Sequence, residues 1–308
     1  MGADWVAATV RARALARRRA GSGASAVIAR AATLRDGLDL LVGTAYEPRV
    51  ARATDMVAVE RATDETVLWQ LRVLAGWLPA TASRLCRTAA AAFERDNILV
   101  LAAHLGDGRP APEAFDLGAL GTAWSRLQTS GSVAELYAGL ARSPWGAVDA
   151  EDAAALRDVL TVVWLRRLAD IAAAARPWAL AGAALVATRT VLVDRAEPSP
   201  RLCRLLRPLI GSAWEHAADL DAIRSALPRA TGTLLAGIET PLDLWRAEAR
   251  ATIAVETDAF RLLRSALPGP DAVLGALAVL ATDAWRVRAA LASASLGSGH
   301  SEVLDAVA

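Results

Sequence analysis

The sequence predicts an all-α fold, and three observations predict it. Hydrophobic residues make up 54% of the 308 positions, yet only 5% are aromatic, and alanine supplies much of the rest. Alanine is the strongest helix former because it loses no side-chain entropy on folding. Second, β-branched runs that would announce strands are scarce; Val186 to Val193 is the nearest approach, and arginine and threonine interrupt it. Third, apolar residues recur at helical spacing in segment after segment.

In chain order, an arginine-rich opening helix is expected over Trp5–Arg19, followed by a short one in Leu34–Tyr46, reading LRDGLDLLVGTAY. Val67, Leu71, Leu74 and Leu78 then line one face of a helix. Phe93–Leu105, reading FERDNILVLAAHL, is a further helix ending at a Gly-Asp-Gly turn. Leu156, Leu160, Val163 and Ile171 line another face, with Trp164 and Leu168 beside them. Leu185–Arg195 ends at a proline turn. Val273, Leu277, Leu280, Ala284, Val287 and Leu291 form a last stripe, with Arg286 and Arg288 lying off it. Such stripes mark amphipathic helices packed on one another.

The breaks are glycine and proline clusters at Gly106–Pro112, Ser143–Gly146, Glu197–Pro200, Leu227–Gly232 and Pro268–Pro270. None has the length or low complexity of a flexible linker, so one continuous helical body over 1–308 is expected. Phe93–Leu105, Leu185–Arg195 and Leu280–Leu291 resemble one another faintly, each placing a polar cluster in or before an apolar helix that stops at a turn. A small bundle repeated three times fits their wide spacing better than a solenoid.

Composition excludes several functions. All 34 basic residues are arginine. A P-loop needs a lysine that reaches the phosphates, so ATP cannot be bound in that way. A net charge of +1 gives no reason to expect nucleic acid as a partner. No charge-free stretch approaches the length of a membrane-spanning helix, and Gly21–Ser25 stands where the hydrophobic part of a signal peptide would follow Arg11–Arg19. A soluble, cytoplasmic chain is expected. Cys86 and Cys203 suggest neither a disulfide framework nor a zinc site.

Candidate sites are few. His104, His216 and His300 lack partners at metal-ligand spacing and read as surface or helix-end residues. Glu151 and Asp152 are a conceivable metal pair, but with Asp149 they sit where a helix start favours negative charge. Arg17, Arg18 and Arg19 are able to touch phosphate or lipid headgroups, although a solvated helix face is the simpler reading. Trp69, Trp77, Trp124, Trp164, Trp178, Trp214 and Trp245 are expected to fill gaps between alanine-rich helices, or in part to anchor a partner. No nucleophile, metal or dinucleotide motif is present, so no catalytic, metal or cofactor residue is assigned.

In the helices that suggest a repeat, Glu94, Asp96 and Asn97 precede Ile98, Leu99 and Leu101, and Asp283 precedes Arg286, Val287 and Arg288. With the Arg-rich opening helix, the Thr-x-Tyr element ending at Tyr46, and Gly297 leading into a short acidic helix to Val307, this order resembles the C-type (also called d-type) central-stalk component of the V-type and archaeal rotary ATPases. The sequence departs from that pattern at Ala276, Ala278 and Ala281, and at Thr188–Thr190 in the middle copy. The resemblance implies three pseudo-threefold-related helical bundles forming a funnel-shaped body, approximately 1–115 with parts of the C-terminal helices, 116–205 and 206–308. It implies a non-catalytic, cofactor-free coupling protein at the cytoplasmic face of the cell membrane. Its partners would be the central-stalk subunits and the membrane proteolipid ring of a complex that moves protons or sodium. Glu94, Asp96, Asn97, Asp283, Arg286 and Arg288 would then lie near partner contacts. The competing reading is a helical ligand-binding protein or synthase-type enzyme with an apolar pocket.

Overall fold

The computed structural model describes residues 3–79, 82–150 and 152–306, and every regular element among them is helical. The first helices are α1 (Ala3–Arg17), α2 (Gly21–Ala29), α3 (Leu34–Asp39), α4 (Glu47–Val50), α5 (Met56–Ala75) and α6 (Ser83–Asp107). Next come α7 (Trp124–Leu127), α8 (Val133–Ala141), α9 (Ala153–Ile171), α10 (Arg176–Leu192) and α11 (Pro200–Ile210). The last are α12 (Leu220–Ala226), α13 (Arg229–Gly232), α14 (Leu244–Leu263), α15 (Pro270–Leu296) and α16 (Glu302–Asp305). Glu151 and Val307, both named from the sequence, lie outside the described residues.

Local chemistry sets the helix starts. Thr33, Asp55, Ser132, Asp152, Ser199, Asp219 and Ser301 each accept a backbone N–H of their own first turn through a side-chain oxygen. That satisfies a donor that the helix leaves unpaired. Asp152 is thus a cap, bonded by the Ala155 N–H at 2.8 Å. Asp149 instead takes the Ser199 hydroxyl at 2.9 Å and the Arg201 N–H at 3.0 Å. Pro200 and Pro270 open their helices, where the missing N–H costs nothing.

The chain forms two compact units. Unit 1 is Met1–Cys86 with Thr252–Ala308, and unit 2 is the continuous stretch Arg87–Ala251. The boundaries fall inside α6 and α14, away from the glycine and proline breaks, so composition does not mark them.

In unit 1, α15 is the central helix, and α1, α2, α3 and α5 pack against it. The expected apolar stripe is there, but α15 is buried nearly all round, because Ala272, Leu274, Ala276, Ala278, Asp283 and Arg286 are buried as well. A helix surrounded on several faces has no solvent side to keep polar. Its small residues let neighbours come close. A Cβ on Gly275 would lie 2.6 Å from the backbone of Ala259 and of Leu263.

In unit 2, α9, α10 and α11 pack on one another, and Trp145, Leu156, Leu160, Ala183, Leu206 and Trp214 are among the residues of its core. Trp214 fills space as expected. Trp69 and Trp77 do not; they are half-exposed, with the guanidinium groups of Arg49 and Arg11 stacked over their rings at 5.3 and 5.7 Å. The other fully buried indole is Trp145, which the sequence did not single out. No described helix is long and apolar enough to cross a membrane.

Candidate functional site

The acidic residues at the head of the repeat helices are internal anchors. Glu94, on α6 in unit 2, is 1% exposed. Its carboxylate accepts the N–H groups of Thr122, Ala123 and Trp124 at 2.7, 2.7 and 2.8 Å, where the chain turns into α7. The Thr122 hydroxyl and the Trp145 indole N–H, the latter at 3.0 Å, complete the set. Burial alone pushes this carboxyl up. The donors outweigh it, led by the Ala123 N–H and the Thr122 hydroxyl, and hold Glu94 below the usual range. Arg167 stacks over the Trp145 ring at 5.3 Å and feels the Glu94 charge.

Asp283, on α15 in unit 1, is equally buried and does the same work with different partners. It accepts the N–H groups of Ala20 and Gly21 at 2.9 and 2.7 Å, at the start of α2, and the Tyr46 hydroxyl at 2.8 Å. Gly21 has φ 79°, a left-handed conformation that a side chain would resist. Here burial wins, so the Asp283 carboxyl is raised despite its donors. Tyr46 is pushed well above its ordinary value by burial and by Asp283.

The two anchors share a second element. Thr33–Tyr46 and Ser132–Trp145 align without a gap, and the hydrogen bonds at their caps and at their aromatic ends correspond. Thr33 and Ser132 cap their helices through the N–H of Asp36 and Glu135 at 3.1 and 3.2 Å. The hydroxyls of Thr44 and Ser143 donate to the carbonyls of Leu41 and Leu140 at 2.6 and 2.8 Å. The same hydroxyls accept the N–H of Tyr46 and Trp145 at 3.2 and 3.1 Å. Each aromatic then delivers its polar tip to the buried acid.

The remaining residues singled out from the sequence have separate roles. Asn97 pins Phe115, accepting its N–H at 2.7 Å and donating to its carbonyl at 3.0 Å, and Phe115 stands edge-on to Phe93 at 5.5 Å. Asp96 pairs with its neighbour Arg95 at 2.8 Å. Arg286 is buried and grips Glu256 with two bonds of 3.1 and 2.6 Å. Arg288 pairs with Asp64. In the middle repeat helix, Thr188 bonds within its own helix, at the Ala184 carbonyl. The acid there comes from α9, where Asp158 pairs with Arg189 and accepts the Thr190 hydroxyl at 3.2 Å.

Glu94, Asp283 and Asn97 thus hold backbone in place, while Asp96, Asp158, Arg286 and Arg288 are taken up in ion pairs. Among the described residues, no group of His, Cys, Asp and Glu is arranged to hold a metal ion. His104 and His300 each face a nearby backbone carbonyl, at 2.8 and 3.0 Å. Reading single helices missed Trp145, Glu256 and Asp64, whose partners are remote in sequence. Aligning Thr33–Tyr46 with Ser132–Trp145 would have exposed Trp145. No protein-family model matches this sequence, and neither does any curated protein.

Proposed function

We propose that this chain is a non-catalytic coupling component of a V-type or archaeal rotary ATPase, equivalent to the C-type (d-type) member of the central stalk. In this reading it joins the central stalk to the membrane proteolipid ring, and three bundles with pseudo-threefold relation close into a funnel. One observation carries it. A buried acid on a long helix, receiving a helix start and the aromatic tip of a capped Thr/Ser element, occurs in unit 1 and again in unit 2 with matching bonds. Such recurrence is what a repeated-bundle family would show, and the two acids and Tyr46 are among the residues that carry the resemblance.

A spacer that transmits torque needs stiffness and two contact surfaces, and it needs no reacting centre. Buried carboxylates that tie separate segments together supply stiffness, because a fully satisfied polar network fixes a single arrangement. Of the six residues assigned to partner contacts, Asp96 and Arg288 retain side-chain surface, at 36% and 32% exposed. Glu94, Asn97, Asp283 and Arg286 act on partners only through the framework that they hold.

Purification of the tagged chain in mild detergent, from the cells that make it, tests this directly. Stalk proteins and the proteolipid ring are expected to accompany it, and Asp96→Arg with Arg288→Glu is expected to weaken their recovery. Recovery of the chain alone, while the ring and stalk assemble without it in the same extract, would overturn the assignment.

A further inference from the structure

We infer that unit 1 carries a binding groove for a phosphate-bearing anion, built by Arg13, Arg17, Arg19 and Arg264. These four line a groove of about 420 Å³ where the C-terminal end of α1 meets the chain leaving α14, and no carboxylate is among its described lining residues. The contrast with the next turn is direct: Arg261 pairs with Asp258 at 2.7 Å. Placing Arg13 and Arg17 one turn apart on α1 sets like charges on the same helix face, which is unfavourable unless an anion balances them.

The cations are held in position. Arg13 donates to the carbonyls of Leu263 and Ser265 at 3.1 and 2.5 Å, so one guanidinium ties α1 to the end of α14. Arg19 donates to the Ala16 carbonyl at 3.1 Å and lies over the Phe260 ring at 4.9 Å. Arg264 approaches the same ring at 5.7 Å. Each guanidinium has five donors in a fixed fork, and these contacts leave several of them free. Planar forks of this kind match phosphate oxygens in pairs. The chain's net charge is only +1, so the cluster is a local concentration of charge and not a reflection of the whole surface. The groove is larger than one phosphate, and four arginines line it. The ligand is therefore an anion with two or more phosphate groups, free in solution or carried on a phosphoinositide headgroup.

Calorimetric titration of the full chain with tripolyphosphate at low salt tests the groove, and co-sedimentation with phosphatidylinositol 4-phosphate vesicles tests the lipid source. Arg17 and Arg264 lie outside the core, so Arg17→Gln with Arg264→Gln removes two charges without touching it. Saturable binding of tripolyphosphate is expected, weakened about tenfold or more in the double variant and unchanged in Arg142→Gln, which alters an exposed arginine of unit 2. Vesicle binding that the double variant loses and tripolyphosphate competes away would assign the same groove to a lipid-held phosphate. Vesicle binding that is absent, with tripolyphosphate bound, would assign it to a free anion. Failure of both probes to bind, or equal binding by the double variant, would overturn the inference.

Discussion

Glu94 and Asp283 are matched in position and opposed in titration. The Glu94 donors hold its folded pKa below the unfolded value, so its contribution is complete above about pH 4.3 and is lost as pH falls through the folded value. Asp283 is raised, so the folded state is penalised as pH climbs from about 3.9 through the folded value. Glu94→Gln is expected to cost about 3 kcal/mol near neutrality, since it leaves charge-assisted bonds unmade in a buried site. Asp283→Asn is expected to cost about 1–2 kcal/mol, having fewer donors and an acid already opposed by burial. In thermal unfolding against pH, the gap between wild type and Glu94→Gln should close in acid, while the gap for Asp283→Asn should widen as pH falls through the raised folded value towards about 3.9. Parallel slopes would contradict this assignment of causes. The thiols provide a second check. Burial pushes Cys86 up to about 12, whereas Cys203 is only partly buried and more modestly raised. A disulfide reagent should therefore label Cys203 first, and Cys86 only at the rate at which its surroundings open. Labelling at equal rates in the native protein would contradict the burial of Cys86.

Among the elements, α15 sets the packing tolerance of unit 1. Gly275→Ala would drive a methyl into the α14 backbone, and a cost of about 2 kcal/mol or more is expected in denaturant unfolding. Gly23→Ala in α2 meets nothing within 4 Å, and a gain of up to about 1 kcal/mol is expected from helix propensity. A neutral Gly275→Ala would mean that the two helices do not touch there. Element types were legible in the sequence, because alanine content, periodicity and capping residues all act locally. The helices over 93–105 and 280–291 lie within α6 and α15 as expected. What surrounds an element was not legible. Val273, Leu277 and Leu280 announce a buried face, but alanine on the other faces is compatible with either water or a neighbouring helix. Likewise Glu94 and Asp283 stood out as acids before apolar runs. Their donors arrive from Thr122–Trp145 and Ala20–Tyr46, and spacing within one helix carries no information about such distant partners.

For the whole molecule, chain order matters because unit 2 is one continuous stretch, whereas unit 1 is assembled from both sides of it. A fragment of residues 87–251 is expected to unfold cooperatively by itself, since its core residues all lie within that stretch. Removing 270–308 is expected to melt α1, α2, α3 and α5, which pack on α15, while the helical signal of unit 2 survives. Circular dichroism of the two species measures this, and an intact unit 1 without α15 would refute the central place given to that helix. The same arrangement imposes a schedule on biosynthesis. While a ribosome is still translating, the middle stretch has emerged complete, but α1, α2, α3 and α5 expose greasy surface until residues 270–296 leave the exit tunnel, which makes that interval the one in which a chaperone has something to hold.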